Sequence, residues 1–458
     1  MRTFEILTLI LTIGALTALL YHKDRRIFLY LIFGAILTIL MQFFIEGIRW
    51  QFTFIIYFLP AMYITHKLQA KEINVTTKSL LMSWLILAGS ILWIIPVFNL
   101  PSPGGKYSIG TEVHHWIDSS RAELFTEKKS DFRQIMIQIW YPADLKSEKK
   151  TEPYMDYIEL RAKTLARAGG IPEFFPKHLN YISTNSHLNA TVIISKFKLP
   201  ILVFSHGITG SRHLHQALYE YLASRGFVIA ALDHSYDANL TIFPDGSMAD
   251  YRSNITGHPD SLALRKMQIN TRGKDISFII NQMKKIQLGQ IESNLNSRLD
   301  MDKIAVGGHS YGGATALVSS FWDPRIKTCL GLDPWISPVP KVILNSGLKI
   351  PQLFLMRPSW HNSDYPNNYK TLDTLILNSQ EQYHRYIIKE SEHLDFSDVP
   401  IFSPIIHWVM RDVSHLTTDI SIDLLNNIVY EYLNVYLLGL SDSKFYSLLN
   451  HINLEQVQ

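Results

Sequence analysis

A single cysteine, Cys329, stands in 458 residues, so no disulfide can form within the chain and cysteine usage says nothing about compartment. Its place in the apolar run IKTCLGL is that of a buried core thiol, because an apolar setting disfavours the reactive thiolate. Charge of one sign is equally scarce. The 43 Lys and Arg residues against 40 Asp and Glu leave a formal charge of +3, which excludes the strongly basic surface of a nucleic-acid-binding protein. No internal repeat and no low-complexity tract is present, which excludes a solenoid or an array. Metal-ligand patterns are also missing: His114-His115 and His213-X-His215 have no nearby Cys, Asp or Glu set to complete a site, so no metal or other cofactor is expected. The glycine turn GITG lacks the lysine of a phosphate-binding loop.

Long apolar runs are what the chain does have, and they crowd its first hundred residues. Ile6–Tyr21, Ile27–Ile45, Trp50–Thr65 and Ser79–Gly105 carry almost no charge. Crossing a bilayer core takes about 20 mostly apolar helical residues. The second and fourth runs meet that length, the first lies near its lower limit, and the third is short and carries Pro60. A cleaved signal peptide has one short apolar region, whereas these repeat at hairpin spacing. Four transmembrane helices are therefore expected in an all-α membrane domain over residues 1–105. Lysine and arginine in short loops stay cytoplasmic, and Lys23, Arg25, Arg26, Lys67, Lys71 and Lys78 fall on one side of that arrangement, with Arg2 and Arg49 on the other. With four spans this predicts an integral protein of the cell membrane with both termini, and everything after Leu100, outside the cytoplasm; if Trp50–Thr65 did not span, the C-terminal part would be cytoplasmic, but the lysines of the third loop would then lie on the wrong side. A receptor or scaffold hung on a functional membrane domain is the competing reading, and charges inside the spans would be its mark. Only Glu5 at an edge and Glu46 near a span end qualify.

The linker NLPSPGG (Asn99–Gly105) reaches at most ~25 Å. Beyond it, over 106–458, short β-branched runs alternate with amphipathic segments, which predicts a mostly parallel sheet flanked by helices, preceded by the transmembrane helices. Strands are expected at Arg133–Ala143, Leu199–Gly207, Gly226–His234, Lys303–Ser310, Ile326–Trp335, Ile350–Pro358 and His384–Ser391. Helices are expected at His213–Ser224, Leu262–Ile286, Gly313–Phe321 and Ile422–Leu438. Ser235–Asp260 has no clear periodicity and reads as a loop or cap.

Within KIAVGGHSYGGATA, Gly308-His309-Ser310-Tyr311-Gly312 has the G-x-S-x-G pattern of a nucleophile elbow, where small neighbours allow a sharp strand-to-helix turn that exposes the serine. The pentapeptide alone is common. Its setting between a buried strand, KIAVG, and a helix start, GGATALVSSF, makes it specific. A serine hydroxyl needs a base, and the base needs an orienting acid. In this fold the chain order is serine, acid, histidine. Asp333 ends the strand IKTCLGLD and His393 follows the strand HRYIIKES, both at the C-terminal strand edge. Asp323, Asp364 and Asp373 are weaker acids by position, and His361 is the main rival histidine, ahead of His384 and His407. The developing oxyanion needs donors, for which the amides of Tyr311 and of Ile208, in the turn SHGITGSR, are placed. Trp335 and Trp360 are candidates for the pocket wall or for the core.

In order and spacing, LPILVFSHGITGSR, GFVIAALDH, KIAVGGHSYGGATAL, LGLDPW and SEHLDFSD resemble the plasma-type platelet-activating factor acetylhydrolases, over most of Gly105–Gly439. The resemblance implies an α/β-hydrolase fold and a metal-free serine hydrolase acting on carboxylic esters, short-acyl or oxidised phospholipids and other amphiphiles included. Carried over by motif, it points to Ser310, Asp333 and His393 with the oxyanion amides of Ile208 and Tyr311. A small-molecule or lipid ester, not nucleic acid, is the expected partner. The membrane segment and the stretch between His234 and Met301 depart from the family pattern.

Overall fold

Apolar composition decides the form of the first hundred residues, since a helix is the one element that satisfies its own backbone inside a run with no polar partners. The computed structural model describes residues 1–21, 25–68, 73–128, 130–145, 150–251 and 261–457. Helices α1 (Thr3–Tyr21), α2 (Arg25–Ile45), α3 (Thr53–Leu68) and α4 (Val75–Ile94) occupy the four expected runs. Three stretches, Thr3–Tyr21, Arg26–Ile45 and Val75–Ile94, are each long and apolar enough to cross a membrane. The fourth, α3, has 16 residues and contains Pro60; at ~1.5 Å per residue it is shorter than the apolar thickness of a bilayer. Lys23 and Lys71, used in the charge argument, lie outside the described residues.

The chain divides into two compact units: Met1–Asn99 with Pro153–Ser183 and Ile401–Ile406, and Leu100–Glu152 with Thr184–Pro400 and His407–Gln458. In the helical unit, α1 and α2 approach closely at glycines, Gly14 facing Leu31 and Gly34 facing Leu11, as small residues permit. Thr8 and Thr38 share a 2.7 Å hydrogen bond. Glu5, fully buried, pairs with Arg49 at 2.8 Å and Arg2 at 2.9 Å, so the one acidic group of α1 is neutralised in place. The two later segments dock on this unit through short polar ties and aromatic rings: Trp50 Nε1–H donates to the Phe175 carbonyl at 3.2 Å, Tyr181 O–H to Ile48 O at 2.8 Å, and Ser403 O–H to Ile94 O at 2.6 Å. Phe98 stacks on Phe402 with ring centroids 5.0 Å apart. Pro153–Ser183 includes α5 (Ile158–Gly169), a helix the sequence reading leaves unassigned.

The larger unit is built on an eleven-stranded sheet. Its strands are β1 (Ser108–Ala122), β2 (Phe132–Ala143), β3 (Thr151–Pro153), β4 (Ser183–Leu188), β5 (Leu199–Ser205), β6 (Val228–His234), β9 (Leu299–His309), β10 (Ile326–Leu332), β11 (Gln352–Met356), β12 (Tyr383–Ile388) and β13 (Leu454–Gln456); β7 (Leu240–Ile242) and β8 (Met248–Asp250) form a separate hairpin. The spatial order is β13-β12-β11-β10-β9-β5-β6-β2-β1-β4-β3. From β12 to β6 every pairing is parallel, whereas β2 and β1 join antiparallel at one side and β13 at the other. The seven expected strands are all present within a few residues. β1 is unassigned by the sequence because SIGTEVHHWIDSSRA mixes buried and exposed positions without an apolar run.

β5 and β6 are buried along their whole length because helices cover both faces, the rule for parallel sheets. Leu222 of α6 (Gln216–Ala223) and Ile428, Tyr432 and Leu433 of the helix Leu425–Tyr436 pack on one face. Ile276, Ile280 and Met283 of α7 (Ser261–Gln287) and Ala316 of α8 (Tyr311–Trp322) pack on the other. This is the α/β-hydrolase architecture. The expected cap at Ser235–Asp260 contains the β7–β8 hairpin, and its residues 252–260 lie outside the described residues.

Candidate active site

Crossing from β9 into α8 takes one residue, and that residue is Ser310. Its φ of 56° and ψ of −121° lie where L-residues are strained. The turn closes because the residues two before and two after Ser310 are glycines. A Cβ on Gly312 would stand 1.9 Å from the Ser205 carbonyl oxygen, and one on Gly308 2.3 Å from the Gly312 backbone. Both obstacles are backbone, which cannot swing aside. Gly312→Ala is therefore expected to lower the thermal-unfolding midpoint of the purified chain, by at least ~2 kcal/mol of stability, and to take activity with it; a variant as stable as the parent would show the turn to be looser than these distances require. Two hydrogen bonds hold the strained residue to the next strand: Ser310 N–H donates to Leu332 O at 2.9 Å, and Trp335 N–H donates to Ser310 O at 3.0 Å.

Asp333 follows β10 in the left-handed region, at φ 38°, and is fully buried. His393 opens the short helical turn after β12. The two side chains meet, His393 Nδ1 standing 2.5 Å from Asp333 Oδ2. Trp360 Nε1–H donates to the other carboxylate oxygen at 2.9 Å and Arg357 N–H at 3.4 Å, while the Arg357 guanidinium pairs with Oδ2 at 3.3 Å. A carboxylate with partners on both oxygens has one orientation left, so it presents Oδ2 to the imidazole. The Trp360 ring also stands edge-on to His393, 5.3 Å between centroids.

His309 backs the imidazole from the other side. Its Nε2–H donates to the His393 carbonyl at 2.8 Å and the two rings lie 4.6 Å apart. Burial, reinforced by the neighbouring His393 and His215, holds His309 well below an ordinary imidazole, so it is neutral and adds no positive charge beside His393. Burial lowers His215 likewise, to about 3.

Ser310, His393, Gly207, Ile208, Trp335 and Trp360 are among the residues lining one cavity of ≈ 730 Å³, a size that suits a small ligand. Ser310 Oγ makes no hydrogen bond among the described residues; the closed contact of the set is the one between His393 and Asp333. Ile208 sits in the turn after β5. Its N–H has no partner among the described residues, and Tyr311 occupies the first position of α8, where an N–H has no acceptor within the helix. The two tryptophans both line the cavity and are buried, so the choice between wall and core was a false one.

The rival residues are placed elsewhere. His361 is exposed, Asp323 is bound by Arg325 at 2.6 Å and Asp373 is paired with Arg385, and His384 is hydrogen-bonded to Tyr436 at 2.5 Å. Asp364 reaches the cavity rim without touching His393. Sequence reasoning missed Arg357, Arg265 and Tyr251 in the cavity wall and the bond from Trp360 to Asp333. The tripeptide SWH (Ser359–His361) after the strand IPQLFLMRP was the available signal, since it lies in a loop at the same sheet edge.

A family model described as platelet-activating factor acetylhydrolase, isoform II, matches residues 95–445. The chain is 26% identical over 368 residues to the platelet-activating factor acetylhydrolase of Canis lupus familiaris, covering 74% of this chain and 77% of that one. It is 24% identical over 343 residues to a probable 1-alkyl-2-acetylglycerophosphocholine esterase of Arthroderma benhamiae, covering 69% and 80%. Among solved structures, a ferulic acid esterase from Streptomyces cinnamoneus matches with a TM-score of 0.64 at 24% identity, over 79% of this chain and 100% of that one. That similarity is one of fold.

Proposed function

Because this chain belongs to the platelet-activating factor acetylhydrolase, isoform II, family and is an ester hydrolase, we propose that it cleaves amphiphilic carboxylic esters, short-acyl or oxidised phospholipids among them, by a Ser310-His393-Asp333 acyl-enzyme mechanism. The observation that carries the reading is the 2.5 Å contact of His393 with Asp333 in the cavity that strained Ser310 opens into. Asp333 accepts only, so His393 Nδ1 keeps its proton and Nε2 is the free base. His393 Nε2 takes the Ser310 proton as Oγ attacks the ester carbonyl carbon. The carbonyl oxygen, now negative, receives the N–H groups of Ile208 and Tyr311. The C–O bond to the alcohol breaks and the alcohol leaves with the proton from His393. Water, deprotonated by the same imidazole, then attacks the acyl-serine and releases the acid.

Apolar helices α1, α2 and α4 support anchoring in the membrane; with α3 as a fourth, shorter span the placement of lysine and arginine supports an extracytoplasmic catalytic unit, whereas three spans alone would place that unit in the cytoplasm. Two measurements test the proposal. Purified chain offered p-nitrophenyl esters and phosphatidylcholines of graded acyl length is expected to favour the short chains, and hydrolysis of long-chain esters alone would overturn the substrate class. In intact cells, added protease is expected to cut the catalytic unit; cleavage only after lysis would reverse the sidedness.

A further inference from the structure

Outside the lining of the cavity lies a second Ser-His-Asp set that the proposed mechanism does not use. Ser205 ends β5, His234 ends β6 and Asp275 comes from α7. Ser205 Oγ is 2.9 Å from His234 Nε2, and His234 Nδ1 is 2.8 Å from Asp275 Oδ2. All three residues have 0% exposure, so no substrate reaches this serine and it is not a nucleophile. The proton inventory has one solution. Asp275 can only accept, so Nδ1–H donates to it, which leaves Nε2 to accept the Ser205 O–H. The Ser205 oxygen is then free to accept, and Arg272 donates to it at 3.0 Å. Arg133 at 2.7 Å and Arg121 at 2.8 Å neutralise Asp275, and burial keeps His234 well below an ordinary imidazole, as a neutral ring in this chain requires.

What the set is attached to shows its use. The same terminal nitrogen of Arg272 also donates to the His206 carbonyl, and its other nitrogen is held by Asp237 at 3.0 Å. Its guanidinium lies 4.6 Å over the Tyr311 ring. His206 is itself fixed at both ring nitrogens, accepting from His234 N–H at 3.1 Å and donating to Gly207 O at 2.5 Å. Arg272 thus touches the residue two before Ile208 and the ring of Tyr311, the owners of the two amides assigned to the oxyanion. We infer that the Arg272-Ser205-His234-Asp275 array is a positioning device that sets the separation and direction of the Ile208 and Tyr311 amides. This rests on the oxyanion roles proposed above. A donor displaced by a fraction of an ångström weakens the bond made to the transition state and leaves substrate binding alone.

The test uses full-length chain purified in detergent. Ser205→Ala removes the oxygen that links Arg272 to His234, and Arg272→Lys keeps the charge but loses the planar fork that holds Asp237 with one nitrogen while the other serves Ser205 and His206. Both are expected to lower kcat for p-nitrophenyl acetate by ~10–100-fold, part of what losing a whole donor costs, with KM within about twofold and the thermal midpoint nearly unchanged. Labelling of Ser310 by a fluorophosphonate should slow in step, because the phosphonyl oxygen uses the same amides, a readout that a merely structural role would not move. If Ser205→Ala fails to fold, Arg272→Lys carries the comparison. Wild-type kcat in a folded variant, or a loss matched by loss of folded protein, overturns the inference. Hydrolysis that survives Ser310→Ala would instead sink the reading beneath it, so the two failures are distinguishable.

Discussion

Ser310→Ala is expected to reduce turnover of p-nitrophenyl acetate by about 10⁶-fold, the scale seen when a triad nucleophile is removed, with the unfolding midpoint preserved. The magnitude follows from what remains. In the proposed mechanism, without Oγ there is no covalent intermediate, His393 has no proton to take, and the amides of Ile208 and Tyr311 can stabilise only direct attack by water. Folding should tolerate the change because the strained backbone at φ 56° is held by bonds of the main chain to Leu332 and Trp335, none of which involves the hydroxyl. Alanine at that φ is strained no more than serine. Loss of fluorophosphonate labelling should accompany the loss of turnover, and hydrolysis within a hundredfold of the parent would remove Ser310 from the mechanism.

The second large effect is expected at Asp333. Asp333→Asn should lower kcat by ~10⁴-fold, as expected when the orienting carboxylate becomes an amide and the imidazole adopts the wrong tautomer. The hydrogen bonds decide which way the amide sits. Trp360 Nε1–H and the Arg357 N–H both donate to Oδ1, so the asparagine oxygen stays there and its NH₂ group turns to His393. The imidazole must then accept through Nδ1 and carry its proton on Nε2, where in the proposed mechanism it could no longer act as the base for Ser310. Trp360 Nε1–H and the Arg357 backbone N–H keep their acceptor, but the Arg357 guanidinium loses the carboxylate it pairs with, so a modest loss of stability should accompany the loss of turnover. Activity within tenfold of the parent would show that the contact between Asp333 and His393 does not govern the reaction.

Why Ser310, Asp333 and His393 stand out in the sequence as candidates, and Trp360 or Arg272 do not, has a physical cause. A strand buried on both faces must be apolar throughout, so its end is marked where a polar residue first appears, as at Asp333 after IKTCLGL and His393 after HRYIIKES. Chain order and the rule that functional groups gather at the C-terminal strand edge then join residues 60 apart without coordinates. His361 remained a rival because nothing local says that its side chain is exposed. Trp360, one residue earlier, looks equally like core, wall or loop until its indole N–H is seen against Asp333. The same holds for Ser205 and His234. Each reads locally as a polar strand end, and the partner that gives them a role, Arg272, lies in a helix whose pattern speaks only of packing. The segments Pro153–Ser183 and Ile401–Ile406 were illegible as parts of the helical unit for a related reason: they dock through a few aromatic rings and single carbonyls, which leave no periodic trace.

By itself, then, the order of residues was enough to determine four apolar helices, the strands of an α/β-hydrolase sheet and a strand-turn-helix that only glycine on either side of Ser310 permits, because burial and steric exclusion act on neighbours in the chain. Tertiary structure alone decided which carboxylate meets which imidazole, which nitrogen keeps the proton, and that Arg272 reaches both sides of the proposed oxyanion site. Those depend on distances of a few ångströms between groups tens to hundreds of residues apart, and hydrogen bonds of that kind impose no pattern on the residues between them.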